Sequence, residues 1–114
     1  MKILKLSDEE MTTLDKYLLT LSPSMKTVNS VEDGTKIEVN KWCLFEDTKD
    51  DDHIEILSFM TPEKQVYCCQ SNTFKKSFFD IQSFMGDIFT IEKISGKTKN
   101  GRGYVNCVID ISSF

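Results

Sequence analysis

Apolar and polar side chains alternate with a period of two along five stretches of the chain, and such alternation predicts β-strands. The stretches are residues 35–45, 54–60, 65–70, 89–95 and 103–111. In the first stretch Ile37 and Val39 occupy the apolar side. Lys41 falls on that same side, whereas Trp42 and Leu44 fall on the polar side. The alternation therefore changes phase near Lys41, and we predict one long strand that is bent there by a β-bulge.

Two other segments have the spacing of amphipathic helices. Ser7 followed by Glu10 has the form of a capping box, and the apolar residues after it predict a helix over residues 8–20. A second helix is predicted over residues 71–86, where Gly86 provides the stop. The apolar stripe of this second helix consists of Phe74, Phe78, Ile81 and Met85.

The order of these elements predicts the fold class. After the first helix the order is strand, strand, strand, helix, strand, strand, which matches the OB-fold, a five-stranded Greek-key barrel. We therefore predict a mainly β protein with helices, an OB-fold-like β-barrel preceded by an N-terminal helix. Residues 1–30 are predicted to hold that helix and a linker, and residues 31–114 the barrel, within one structural unit. A chain of 114 residues suits a single domain of this kind.

Charge is distributed unevenly along the chain. The segment "EDTKDDDHIE", residues 46–55, carries six carboxylates against one lysine and is predicted to be a solvated loop. The segment "KISGKTKNGRGYV", residues 93–105, carries four cationic side chains and no carboxylate, although the net charge of the protein is −4. Asn100-Gly101 predicts a tight hairpin turn within it. One face of the protein is therefore expected to attract anions.

These cations and three aromatic residues predict a site for single-stranded nucleic acid. Such sites combine a cationic groove for the backbone with flat rings on which bases stack, without sequence preference. The predicted phosphate contacts are Lys75, Lys76, Lys93, Lys97, Lys99 and Arg102, and the predicted stacking residues are Trp42, Tyr67 and Tyr104. The alternative for the hairpin is a basic turn that keeps a sheet edge soluble. The alternative for the aromatic residues is ordinary burial.

Catalytic and metal-binding patterns are weak by comparison. His53 is the only histidine, and it lies in the acidic segment without a nucleophile motif nearby. The four cysteines lack the Cys-x-x-Cys spacing of zinc sites, so we expect reduced, buried thiols, no metal and no cofactor. No apolar run reaches the roughly 20 residues of a membrane helix. We therefore expect a cytoplasmic protein that is not an enzyme and has no membrane partner.

Three segments resemble a known family. "DGTKIEVN", "VYCCQSNTFKKSFFDI" and "FTIEKISGKTKNGRGYVNCVIDI" are similar, in order and spacing, to the single-stranded DNA-binding proteins of the small Bacillus phages that replicate by protein priming. They also resemble related small proteins of phages that infect other Gram-positive bacteria. The resemblance covers about residues 33–111, and the family's hairpin falls on residues 93–104. It implies a replication protein in the host cytoplasm that coats displaced strands, with phage replication proteins as partners.

Two competing hypotheses belong to other classes of function. A small phage protein could use the acidic segment to imitate the charge of DNA, and so bind and inhibit a host nuclease or polymerase. Neutralising Asp50, Asp51 and Asp52 would abolish that activity but would leave DNA binding intact. An enzyme using His53 is the third hypothesis, and it predicts that His53→Ala destroys activity on a substrate.

Overall fold

The computed structural model describes residues 1–113, which form two β-sheets and two α-helices. The helices are α1 (Thr13–Thr20) and α2 (Asn72–Met85), and single 3₁₀ turns lie at Val28–Ser30 and Ile111–Ser113. The strands are β1 (Lys2–Leu6), β2 (Lys26–Thr27), β3 (Lys36–Val39), β4 (Lys41–Lys49), β5 (Asp52–Met60), β6 (Val66–Cys69), β7 (Phe89–Lys97) and β8 (Gly103–Ile109). The prediction of a mainly β protein with helices is confirmed.

The chain begins with a strand, so the prediction of a helix as the first element is wrong. β1 pairs antiparallel with β4 at the edge of the larger sheet. Ser7 does not cap a helix, because its hydroxyl accepts a hydrogen bond from the backbone N–H of Trp42 at 3.0 Å. The true cap is Thr12, whose hydroxyl accepts from the N–H of Asp15 at 3.1 Å. Helix α1 is therefore shorter than predicted and starts at Thr13.

The long bent strand predicted over residues 35–45 is two strands in different sheets. β3 pairs with β7, whereas β4 pairs with β1 and β5. Asn40 lies between β3 and β4, and its N–H donates to the carbonyl of Met60 at 3.0 Å. The change of phase near Lys41 was thus located correctly. Its cause is a change of sheet rather than a bulge.

The acidic segment is also more ordered than predicted. β4 and β5 form a hairpin whose pairing continues to Lys49 opposite Asp52. Asp50 and Asp51 make the turn with φ of 52° and 67°. Two consecutive left-handed residues are typical of a type I′ turn, and aspartate tolerates this conformation better than most residues. The predicted loop is therefore the tip of a hairpin.

The second half of the chain follows the predicted pattern. Ser71 caps α2 by accepting from the N–H of Phe74 at 3.2 Å, and Gly86 ends the helix with φ of 83°. β7 and β8 form an antiparallel hairpin, and β3 lies on the other side of β7. The three strands make the smaller sheet, in the order β3-β7-β8.

The two sheets do not close into a complete barrel. The larger sheet has the order β1-β4-β5-β6-β2, and the two-residue strand β2 pairs in parallel with β6. Among the described residues β6 and β8 are not paired, so an opening remains between the larger sheet and the β7–β8 hairpin. The structure therefore shows two sheets, and the OB-fold-like β-barrel stays a prediction.

Both faces of the larger sheet are covered. Its inner face packs against the smaller sheet and α2 around a core that includes Trp42, Leu57, Phe59, Phe74, Phe78 and Ile91. Its outer face carries a second core that includes Met11, Leu19, Cys43, Phe45, Met60 and Val66. Residues of α1 and its flanks supply part of this second core. The N-terminal segment therefore shields a sheet face that would otherwise be apolar and exposed.

Candidate nucleic-acid interface

An open cleft of about 970 Å³ lies where β6 and β8 fail to pair. One wall comes from β2, the end of β6 and the start of α2, and the other wall comes from the β7–β8 hairpin. The lining residues are Thr27, Val28, Asn29, Ile56, Cys68, Cys69, Gln70, Ser71, Thr73, Lys93, Ser95, Thr98, Arg102, Gly103, Tyr104 and Val105. The first wall is mainly polar and uncharged, whereas the hairpin wall is cationic.

The tip of the hairpin is a well-defined turn. The N–H of Gly101 donates to the carbonyl of Thr98 at 2.9 Å, and Gly101 has φ of 80°. Only a residue that tolerates positive φ fits this position easily, which accounts for the Asn-Gly pair in the sequence. Within residues 1–113 the side chains of Lys97, Lys99 and Arg102 form no ion pair, and all three residues are exposed. These three cations are available for a ligand.

Tyr104 lies on the same hairpin, on the opposite face of the sheet from Lys97. Tyr104 and Arg102 line the cleft, whereas Lys97 and Lys99 are not among its lining residues. The Tyr104 ring is on the outer side of β8. It is 40% exposed, as the outward position predicted from the alternation of β8 requires. Tyr104 is paired across the hairpin with Gly96, and a Cβ atom at Gly96 would lie 2.6 Å from the Tyr104 hydroxyl oxygen. The ring therefore rests over the bare backbone of Gly96. Residue 96 must therefore be glycine for the Tyr104 ring to fit here.

The other two predicted stacking residues are elsewhere. Trp42 is only 4% exposed, and its ring packs edge-on against Phe78 and Phe79 at centroid distances of 6.4 and 5.1 Å. Its faces are covered, so the stacking role expected for Trp42 is corrected to a core role. Tyr67 is half-buried and stacks on Phe59 at 5.8 Å. It borders a separate groove of about 320 Å³ rather than the cleft.

The two helical lysines are engaged with other parts of the protein. The ammonium group of Lys75 donates to the backbone carbonyl of Glu55 at 3.0 Å, and the residue is only 7% exposed. Lys75 thus fastens α2 to β5, and its predicted role as a phosphate contact is corrected. Lys76 is exposed and donates to the Asp80 carboxylate at 2.9 Å on the same helix. Neither residue lines the cleft.

Lys93 lines the cleft but is already bound to a carboxylate. Its ammonium group donates to Asp33 Oδ1 at 2.7 Å, and the hydroxyl of Ser95 donates to Asp33 Oδ2. The hydrogen bond from Lys93, followed by that from Ser95, lowers the pKa of Asp33 below its usual range. Sequence reasoning missed Asp33, because the two partners are 60 residues apart and only the folded chain brings them together.

Groups for metal or nucleophilic chemistry do not converge in the described part of the chain. Residues 1–113 contain no cluster of three or more histidine, cysteine or acidic side chains suited to a metal ion. His53 is exposed on the acidic hairpin, with its Nδ1 3.7 Å from Glu46 Oε1. Burial raises the pKa of the Cys69 and Cys107 thiols to about 12 in each case, which keeps them protonated at neutral pH.

Two further findings concern membrane spans and similarity to known proteins. None of its described helices is long and apolar enough to cross a membrane. No family model, no curated protein and no solved structure matches the sequence or the fold. The function must therefore be inferred from the cleft and its residues.

Proposed function

We propose that the protein binds single-stranded DNA without sequence preference, through the cleft and the β7–β8 hairpin. The observation that carries this proposal is one ordered hairpin beside an open cleft, with an outward tyrosine and three cations that form no ion pair within residues 1–113. Lys97, Lys99 and Arg102 neutralise phosphates, and Tyr104 provides a ring on which a base stacks. Stacking tolerates any base, since every base presents a π-face.

The order of strand pairing supports this proposal. Apart from β1 and β2, the pairings run β6-β5-β4 in one sheet and β3-β7-β8 in the other, and β4 directly follows β3 in the chain. This order resembles that of an OB-fold, except that β2 instead of β8 pairs with β6. OB-folds commonly bind single strands, so we propose that this is an OB-like domain.

The three segments that resemble the phage proteins contact one another, and the second and third of them line the cleft. Asp33 of the first segment is bound to Lys93 of the third, and Ser71 of the second donates to the carbonyl of Val105 at 3.5 Å. The resemblance therefore concerns one region of the molecule rather than scattered strands. With it we propose a role in coating displaced strands during phage replication, in the host cytoplasm and beside other phage replication proteins.

The experiment that tests the proposal is fluorescence anisotropy of an end-labelled oligothymidylate titrated with the protein at several salt concentrations. Three phosphate contacts predict that log affinity falls against log salt with a slope of about −0.7 × 3, or roughly −2. Replacing Lys97, Lys99 and Arg102 together by glutamine should make the slope shallower by about 2.

A matched control replaces Lys2, Lys5 and Lys49, which are exposed in the larger sheet, by glutamine. It removes the same charge and should retain the slope of the unaltered protein. Absence of binding at low salt, with the protein folded, would refute the proposal.

The acidic hairpin favours a second candidate function. Its carboxylates are presented on paired strands with a defined turn at Asp50 and Asp51, instead of on a mobile loop. A fixed row of negative charge suits imitation of DNA toward a host nuclease or polymerase. Replacing Asp50, Asp51 and Asp52 by asparagine should abolish inhibition of such an enzyme under this hypothesis. Under the first proposal the same variant binds oligothymidylate as well as the unaltered protein or better.

A further inference from the structure

A carboxylate from outside the hairpin is bound to two residues that line the cleft. Asp33 belongs to the turn before β3, and its two oxygens accept from Lys93 and Ser95 of β7. The Lys93 side chain is only 7% exposed, whereas the Asp33 side chain is 56% exposed. The cation is therefore part of the fold, and its anionic partner lies at the surface.

The two donors are arranged as an anion site would be. Lys93 and Ser95 are two positions apart on one strand, so their side chains point to the same face of the sheet, and both line the cleft. An ammonium group and a hydroxyl group are common donors to phosphate oxygens in proteins. A carboxylate and a phosphate present the same kind of acceptor to such a pair.

We propose that Lys93 and Ser95 form a phosphate subsite, which the Asp33 carboxylate occupies in the free protein and a backbone phosphate of single-stranded DNA takes over on binding. This inference rests on the proposed function, and it adds an internal competitor to the site. One anion replaces another, so the Lys93 charge remains paired throughout the exchange.

The backbone around Asp33 allows this exchange without unfolding. The N–H of Gly34 donates to the carbonyl of Lys93 at 2.8 Å, and the N–H of Lys93 donates to the carbonyl of Thr35 at 2.9 Å. These bonds hold the turn against β7 whatever the position of the Asp33 side chain. The carboxylate needs only to rotate into the solvent that already surrounds more than half of it.

The test compares Asp33→Asn with Asp80→Asn in the anisotropy titration with oligothymidylate. Each variant removes one exposed carboxylate that is bound to a lysine, but Asp80 and Lys76 lie outside the cleft. We expect Asp33→Asn to bind about 3- to 10-fold more tightly than Asp80→Asn at low salt. Their slopes should be alike, because Lys93 neutralises the same phosphate in both variants once DNA is bound. Equal affinities for the two variants would overturn the inference.

A second measurement uses the unaltered chain and so does not depend on how the variants fold. The side-chain carboxyl ¹³C resonances of Asp33 and Asp80 are followed by NMR as oligothymidylate is added. Displacement predicts that the Asp33 resonance moves toward that of a solvated aspartate while the Asp80 resonance stays. An unchanged Asp33 resonance at saturation would refute the exchange while leaving DNA binding established, whereas no binding at all would refute the proposed function itself.

Discussion

Tyr104 is the residue at which the sequence and the structure agree most directly about the site. Alternation along β8 predicts that it points away from the core, and in the structure its ring rests over Gly96 with 40% of the residue exposed. The contact with Gly96 was not predictable, because it depends on the register that places the two residues opposite each other.

Replacing Tyr104 by alanine tests its role as a stacking platform. We expect a loss of about 1–3 kcal/mol in binding to oligothymidylate, because one base loses its partner ring. Thermal unfolding should change little, since the residue lies outside both cores. Tyr104→Phe keeps the ring and should bind like the unaltered protein. An alanine variant with unchanged affinity would remove Tyr104 from the site.

Trp42 shows the limit of residue-level prediction. A period of two predicts which side chains share a face, but it does not predict what covers that face. In β4 both faces are covered, one by α2 and the smaller sheet and the other by α1. A tryptophan assigned to the polar face of an isolated strand is therefore a core residue in the folded chain.

At the scale of elements, helix α1 is fastened by a buried carboxylate. Asp15 is only 1% exposed and accepts from the ammonium groups of Lys41 at 2.7 Å and Lys64 at 2.9 Å. These hydrogen bonds lower the pKa of Asp15 from 3.8 to about 2, and the bond from Lys41 has the larger effect. The bond to Lys41 joins the helix to the first residue of β4.

Asp15→Asn should destabilise the fold by about 1–2 kcal/mol at neutral pH, because two partly exposed lysines lose their buried anion. The pKa of Asp15 is lower in the folded state, so its contribution is complete above pH 3.8 and is lost as the pH falls toward about 2. Urea unfolding of both proteins at pH 7 and near pH 2 should therefore show a difference that disappears in acid. A difference that is independent of pH would contradict this account.

Elements with several concordant signals were predictable, and elements with one ambiguous signal were not. For α2 the apolar stripe, the cap and the final glycine all agree, and the helix lies where it was predicted. At the N-terminus the pair Ser7 and Glu10 resembles a capping box. There, however, Asp8 makes a turn in which its carboxylate accepts from the Glu10 N–H at 2.9 Å. Five residues of β1 carry too short an alternation to reveal a strand.

At the scale of the whole molecule, the pairing of strands that are far apart in the sequence determines where the cleft lies. The sequence predicts the order of five strands and a helix, but not that β3 and β4 belong to different sheets. Nor does it predict β2, a strand of two residues that pairs with β6 and forms the edge of the larger sheet. The opening between β6 and β8 depends on these long-range pairings. Such pairings produce no local pattern of apolar and polar residues in the sequence.

Removing residues 1–30 tests how far the N-terminal segment is integral to the fold. The truncation deletes β1, α1 and β2, and so uncovers the apolar outer face that includes Cys43, Phe45, Met60 and Val66. We expect aggregation, because an exposed apolar face of this kind is an adhesive surface. Size-exclusion chromatography and near-ultraviolet circular dichroism measure the outcome. A monomeric truncated protein with native circular dichroism would show that residues 31–114 fold alone.

The enclosure of Trp42 by Phe78 and Phe79 also has a spectroscopic consequence. Trp42 is the single tryptophan of the chain and is buried. Water molecules reorient around an excited indole only when they can reach the ring. The native protein should therefore emit at short wavelength and shift to the red when its core opens. Trp42 does not line the cleft, so its emission reports folding, whereas a label on the DNA reports binding. Measuring both signals in the same sample distinguishes variants that fail to bind from variants that fail to fold.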